Sequence, residues 1–219
     1  MNYYPVLLDL NSRACLVVGG GSVAERKIKS LLSCGARVRV VSPDLTLDLK
    51  EMVSKGKLEY LERGFQKGDT KGFFIVICAT DKEEVNRQVA EECRESDKPV
   101  NVVDDPPKCS FILPAIVRRG ALTVSVSTAG KSPLLAAKIR RSLEGKFSPE
   151  YGEILDLLGN LRKEIIGDVK DPKQRLKMFE KMLDDQAFAL LEQGKYDDVR
   201  ERVLSAYRSF GNKPQDSSG

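Results

Sequence analysis

Residues 14–24 read A-C-L-V-V-G-G-G-S-V-A, and this stretch decides the fold class. Cys15–Val18 is a short apolar run with β-branched residues, the mark of a buried strand. Gly19, Gly20 and Gly21 follow at once. Ser22 to Leu32, S-V-A-E-R-K-I-K-S-L-L, then reads as a helix with Val23, Ile28, Leu31 and Leu32 on one side. The spacing G-x-G-x-x-A falls on Gly19, Gly21 and Ala24. In a strand–turn–helix, Gly19 permits the tight turn, Gly21 lets a pyrophosphate approach the backbone, and Ala24 lets the helix pack closely on the strand. The unpaired N–H groups of the first helical turn, with the helix dipole, favour phosphate. A glycine-rich turn without a ligand is the alternative. The strand before it and the amphipathic helix after it favour a dinucleotide.

Working outward, Met1 to Asn11 reads as a lead-in, with Val6, Leu7 and Leu8 placed to pack on the sheet. Gly35 stops the first helix. Arg37–Val41 is a second β-branched strand, ended by Ser42-Pro43-Asp44. A helix over 45–55, a short strand over 58–61 and a polar loop over 64–72 follow. Phe73–Cys78 is the most apolar strand, as a central parallel strand covered on both faces requires. Ala79-Thr80-Asp81 ends it. A Glu- and Arg-rich helix spans 82–96, and Val100–Val103 is the fifth strand, running into Asp104-Asp105-Pro106-Pro107. Strands alternating with helices predict an α/β fold with a Rossmann-like parallel sheet. Ligands of such sheets bind beyond the carboxyl ends of the strands, here Gly19–Val23, Ser42–Asp44, Ala79–Asp81 and Asn101–Asp105.

After Pro107 the pattern changes. Residues 111–117 and 122–127 flank Arg118-Arg119-Gly120-Ala121 as a β-hairpin. Thr128 to Pro133 is a loop, with Pro133 at a helix start, and a helix runs over 134–144. From Pro149 the chain reads as wholly helical, over 150–166, 172–191 and 196–210. The expected organisation is a dinucleotide-binding domain over 1–110, a dimerisation segment over 111–147, a helical domain over 148–212 and a disordered tail over 213–219.

Composition bounds the chemistry. The chain has 219 residues, 41% hydrophobic and 31% charged, as in a soluble globular protein. No apolar run approaches the ~18 residues of a membrane span, and the N-terminus lacks a signal-peptide pattern, so the cytoplasm is expected. The five cysteines form no C-x-x-C pair and read as reduced structural thiols. There is no histidine, which removes the commonest general base and the commonest transition-metal ligand; no metal site is expected. The net charge of +4 does not by itself imply nucleic acid. Residues 118–146, however, hold seven basic residues against one acid, a net +6. Such a field attracts an anion, either a polycarboxylate or a nucleic-acid backbone, unless it is only a solvated helix face. No aromatic residues interleave with these charges, which argues against single-strand stacking.

Within the crevice, Asp44 is the carboxylate that fits the ribose position about 20 residues beyond the glycines. Backbone groups of Ser42–Asp44, or a role for Asp44 as cap of the following helix, are the alternatives. Arg37 and Arg39 lie inside the strand rather than at its tip, so no 2′-phosphate clamp is evident and NAD is favoured over NADP. Asp104, directly after strand five, is the best general base in a chain without histidine; a turn aspartate before a Pro-Pro pair is the alternative. Ser125, Ser127, Thr128 and Ser132 line the hairpin end, to bind a ligand or to cap the next helix.

The segments V-V-G-G-G-S-V-A-E-R-K (17–27), V-V-S-P (40–43), N-V-V-D (101–104), S-F-I-L-P-A (110–115) and V-S-T-A-G-K-S-P-L-L-A (126–136) together resemble the precorrin-2 dehydrogenase, or siroheme synthase, family. The resemblance covers about residues 1–150 in motifs and the remainder in helical character. It implies NAD-dependent oxidation of precorrin-2, a polycarboxylate ring that suits the basic segment, to sirohydrochlorin. Some members also insert ferrous iron, for which Asp104 would be the candidate ligand. It further implies a homodimer built through the hairpin and the following helix, with no nucleic-acid or membrane partner, and, since the chain is too short for the methyltransferase domain of the fused enzymes, the stand-alone form. Carried over residue by residue, the family's NAD contacts fall on Ser22, Val23, Pro43 and Asp44 and its essential aspartate on Asp104; the glycine turn and the strand ends add Gly19, Gly21, Thr80 and Asn101 as candidate cofactor contacts, and the loop after the hairpin gives Ser127, Thr128, Lys131 and Ser132 as candidate substrate contacts. Thr128 and Ala129 replace a Ser-Gly of the family loop, whose serine is a phosphorylation site in the fused enzyme. Asp105 is an added acid.

Overall fold

The computed structural model describes residues 3–211, and the tail expected over 213–219 lies outside them. Five strands form one parallel sheet in the order β3-β2-β1-β4-β5: β1 (Ala14–Val18), β2 (Arg37–Ser42), β3 (Glu59–Glu62), β4 (Ile75–Cys78) and β5 (Val100–Val102). The central β1 pairs with β2 from Ala14↔Arg37 to Val18↔Val41 and with β4 from Cys15↔Ile75 to Val18↔Cys78. The order reverses beside β1, which opens a crevice at the carboxyl ends of β1 and β4.

Period-two alternation sends the strand side chains to two cores. Cys15, Val17, Val38, Val40, Ile75 and Ile77 face helix α1 (Ser22–Ser33) through Ala24, Ile28 and Leu31, and helix α2 (Leu47–Ser54) through Leu49. Leu16, Val18, Val76, Cys78, Val100 and Val102 face helix α3 (Glu83–Glu95) through Val89, Ala90 and Cys93. β4 is buried along its whole length. Each fully buried Val, Ile or Leu contributes roughly 1.5–3 kcal/mol, so two filled faces hold the sheet without any disulfide; all five cysteines are free.

Two readings of this region need correction. Val23 does not join the buried face of α1; it is 36% exposed, because a first-turn residue just past the glycines projects beyond the end of the sheet. Val6, Leu7 and Leu8 do not pack on the sheet. They are 60%, 83% and 49% exposed in a segment without regular structure, and only Leu10 enters the core.

The described residues divide into two compact units. The first runs to Leu113 and includes Ala129–Lys131; the second comprises Pro114–Thr128 and the residues from Ser132 onward. In the second, β6 (Ala115–Arg119) and β7 (Leu122–Val126) form an antiparallel hairpin whose two-residue turn starts at Gly120, φ +55°. Gly120 and Gly152 let the hairpin tip meet helix α5 (Glu150–Asp168) backbone to backbone. A Cβ on Gly120 would lie 3.0 Å from the Gly152 Cα. Between them, helix α4 (Pro133–Lys146) starts at Pro133. α5 then packs with α6 (Pro172–Met182), α7 (Asp185–Glu192) and α8 (Tyr196–Gly211) around Ile154, Leu161, Ile165, Met178, Met182, Val199 and Val203.

The single helix expected over 172–191 is therefore two. Asp184 breaks it by accepting from the Ala187 N–H (2.9 Å) as N-cap, and Arg202 of α8 holds the same carboxylate in a bidentate pair. Arg202 foremost, and that N–H next, hold the Asp184 carboxyl down at about 2.

Two predictions follow from the packing. Gly19 has φ +118°, and a Cβ there would sit 2.2 Å from the Ala79 carbonyl oxygen. Gly19→Ala should cost about 3 kcal/mol or more, whereas Gly21→Ala, with open space around it, should cost no more than about 1 kcal/mol; urea unfolding compares them. Asp184→Ala should destabilise the helical unit by about 1–2 kcal/mol. The folded carboxyl titrates near 2, below its unfolded value of about 3.9. Its contribution is therefore full above roughly pH 4 and lost as the pH falls toward 2, so the gap between wild type and variant should close over that range.

Candidate active site

Three backbone crossings shape the site, all at the carboxyl edge of the sheet. Gly19 N–H donates to the Val41 carbonyl (2.9 Å), Ala79 N–H to the Val18 carbonyl (2.8 Å) and Val103 N–H to the Cys78 carbonyl (2.9 Å). The loop after β2 then folds over the glycine turn. Thr46 N–H donates to the Gly20 carbonyl (3.0 Å), and the Ser42 hydroxyl donates to the Asp44 carbonyl (2.7 Å). A Cβ on Gly20 would lie 2.0 Å from that Asp44 carbonyl oxygen. Gly20, the unspecified position of G-x-G, is thus as sterically constrained as Gly19, a requirement that motif reasoning missed. Around Gly21 there is open space. Gly21 is the N-cap of α1 and, having no side chain, leaves the first-turn N–H groups without a side-chain acceptor.

These loops enclose a cleft of about 960 Å³, lined by Gly19–Val23, Ser42–Thr46, Gly64, Phe65, Ala79–Glu83, Val85, Asn86 and Val103–Asp105. Its volume is that of a large ligand site. The open approach to Gly21, the uncapped helix start and the volume of the cleft fit a dinucleotide. Of the residues singled out from the sequence, Gly19, Gly21, Ser22, Val23, Pro43, Asp44, Thr80 and Asp104 all line this one cleft. Asn101 does not. It is buried, and its amide donates to the Phe111 carbonyl (3.0 Å). Asp44 does not cap the next helix; Thr46 does, accepting from Leu49 N–H, which leaves Asp44 exposed on the cleft wall. Arg39 pairs with Glu59 (2.6 Å), and Arg37 donates to the Ser12 carbonyl. Neither lines the cleft; among the described residues its one cation is Lys82.

The two adjacent aspartates are set apart by their surroundings. Asp105 is ion-paired to Lys108, which also holds Glu83 (2.5 Å). Asp104 is exposed on the cleft and takes φ +60°, a left-handed conformation that Asp tolerates better than most residues. A strained, unpaired carboxylate at the end of a strand is a placement that active sites favour. Sequence reasoning also missed Asn86. It is buried on the cleft wall, where Cys78 Sγ donates to its Oδ1 (3.1 Å) and its Nδ2 donates to the Thr80 carbonyl (3.2 Å). A polar residue on the inner face of an otherwise apolar helix stripe was the available signal. Burial pushes the thiols of Cys15 and Cys93 up to about 11 and that of Cys78 up to about 12, so these are inert core groups. Among the described residues no three His, Cys, Asp or Glu side chains are grouped to hold a metal ion.

In the second unit the loop hydroxyls are engaged locally. Thr128 Oγ1 accepts from Ser132 N–H (3.1 Å), and Ser132 Oγ caps α4 by accepting from Leu135 N–H (3.2 Å). Ser127 is exposed, as is Lys131 of the first unit. The basic segment is partly neutralised. Arg119 donates to the Phe147 carbonyl (2.7 Å) and Arg140 pairs with Glu144, while Lys131, Lys138 and Arg141 stay exposed. No helix among the described residues is long and apolar enough to cross a membrane.

Known proteins with the same features are consistent along the whole chain. Residues 6–115 match the family described as putative NAD(P)-binding, 119–146 the central region of sirohaem biosynthesis proteins, and 150–206 the sirohaem synthase dimerisation region. The siroheme synthase of Thioalkalivibrio sulfidiphilus is 39% identical over 219 residues, all of this chain and 45% of that protein. The siroheme synthase of Photobacterium profundum is 35% identical over 98% of this chain and 46% of that protein. The chain thus spans just under half the length of these curated relatives. A solved structure described as SirC, precorrin-2 dehydrogenase, superposes with a TM-score of 0.77 at 27% identity, over 93% of this chain and 100% of that one. With the NAD(P)-binding, central and dimerisation regions in tandem on one polypeptide, the chain belongs to the sirohaem synthase family.

Proposed function

We propose that this protein oxidises precorrin-2 to sirohydrochlorin with NAD, as a homodimer. The observation that carries the reading is Asp104, an exposed carboxylate without an ion-pair partner, on the rim of a dinucleotide-sized cleft. The oxidation removes two hydrogens from the ring, one as hydride and one as a proton. NAD, when bound, supplies the hydride acceptor. The residues of the chain do the rest. The glycine turn and the first-turn N–H groups of α1 hold the pyrophosphate. Asp44, or the backbone of Ser42–Asp44, holds a ribose. Asp104 Oδ accepts the proton, a role for which a chain without histidine has few other candidates.

The absence of Arg37 and Arg39 from the cleft supports NAD over NADP. Ser127, Thr128, Lys131 and Ser132 are proposed as substrate contacts by their likeness to the family loop. Dimerisation is supported by the matched region over 150–206 and by the uncovered apolar side chains of α4: Leu134, Leu135 and Ile139 are 65%, 50% and 40% exposed. Five free thiols fit a reducing compartment, the cytoplasm.

Incubation of the protein with precorrin-2 and NAD, following NADH and the macrocycle spectrum together, tests the reaction; one NADH should form per ring oxidised. Asp104→Asn, which keeps the left-handed backbone accessible, should lower kcat by about 10²–10⁴-fold with the Kd for NAD within about twofold. An active variant would remove Asp104 from the chemistry. Gly21→Val should weaken NAD binding by about tenfold or more, because its side chain would occupy the phosphate approach, while Tm changes little.

A further inference from the structure

Helix α1 carries two adjacent cations, Arg26 and Lys27, on the turn that follows the glycine cradle. Arg26 is exposed and Lys27 is half-buried. Among the described residues Lys27 donates no hydrogen bond and closes no ion pair. Lys29, two positions on, behaves differently: it bridges Glu25 (2.6 Å) and Asp48 (2.7 Å). Lys27 lies one helical turn past Val23, so the two share a face of α1. Val23 and Asp104 both line the cleft while Lys27 is not part of its lining, and the charges of Lys27 and Asp104 attract each other.

A half-buried lysine with a like charge next to it in sequence and no hydrogen-bond acceptor is unfavourably placed. Burial and then Arg26 push the pKa of Lys27 down, and Asp104 pushes it up. An anion placed against Lys27 would relieve both penalties. The pyrophosphate of a dinucleotide is met at the start of α1, a full turn away from Lys27.

We propose that Lys27 receives one carboxylate of the ring substrate and so places the adjoining ring edge against Asp104. The cation fixes the acid side chain of the ring, and the neighbouring anion is left open to the proton that the ring gives up. The inference rests on the reaction proposed above and deepens it: it names a specificity residue in the NAD-binding unit rather than in the basic segment.

Lys27→Met, which keeps the packing of the stem, and Lys27→Arg are compared with wild type for kcat and for KM toward each substrate. The affinity for uroporphyrin, a polycarboxylate ring that this reaction does not oxidise, is read from its own fluorescence at several salt concentrations. Lys27→Met should raise the KM for precorrin-2 about tenfold or more, as loss of a charge-assisted hydrogen bond does. It should weaken uroporphyrin binding comparably, flatten the salt dependence and leave the KM for NAD within about twofold; Lys27→Arg should restore most of the affinity. Unchanged affinity for both rings would overturn the proposal, and so would a rise in the KM for NAD alone, which would put the pyrophosphate on Lys27. If wild type failed to oxidise precorrin-2 while Lys27→Met still weakened uroporphyrin binding, the reaction would be refuted and the carboxylate site retained.

Discussion

Two carbonyl groups occupy the space where side chains at positions 19 and 20 would stand. The Ala79 carbonyl oxygen lies 2.2 Å from the Cβ position of Gly19, and the Asp44 carbonyl oxygen 2.0 Å from that of Gly20. The loops after β2 and β4 are therefore drawn onto the turn after β1 from both sides. That close approach brings four strand ends to one edge and closes the walls of the cleft. Gly21 carries the opposite condition: nothing approaches it, and α1 starts uncapped there. A three-glycine run thus does two different jobs, steric admission of the protein backbone at the first two positions and of a ligand at the third.

Electrostatics sorts the polar residues around that cleft. Asp104 and Asp105 are neighbours in sequence, yet Lys108 takes Asp105 while Asp104 turns to the cleft through a left-handed backbone. Arg39 is drawn to Glu59 on the neighbouring strand and stacks on Phe73, so it cannot serve the cleft. Asn86 is oriented by a thiol: the Cys78 S–H can only donate to the amide oxygen, which turns the amide nitrogen toward the Thr80 carbonyl and fixes the loop after β4. In each case the partner, rather than the residue type, selects the role.

The second unit rests on similar close contacts, with Gly120 and Gly152 allowing a hairpin tip to meet a helix backbone. Its basic segment is less strongly charged than its composition implies. Arg119 and Arg140 are drawn to the carbonyls and the one carboxylate of the same region, while Arg118, Lys138, Arg141 and Lys146 stay exposed.

Hydrophobic periodicity and glycine spacing were enough to determine the alternating order of strands and helices, the parallel sheet and the strand that precedes the cleft. These depend on local steric preference and on the burial of one face, both of which are written residue by residue. The candidates at 19, 21–23, 43, 44, 80 and 104 were legible for the same reason, since each sits at a strand end. Tertiary structure alone decided the rest. Asn101 turned to Phe111, Thr46 rather than Asp44 capped α2, Asp184 divided a helix that looked continuous, and Gly20 proved as constrained as Gly19. Each of these outcomes depends on a partner 3 to 24 positions away or on a competing cap. A hydrogen bond or a steric contact of that kind has no period in the chain, so it becomes visible only when the elements are packed together.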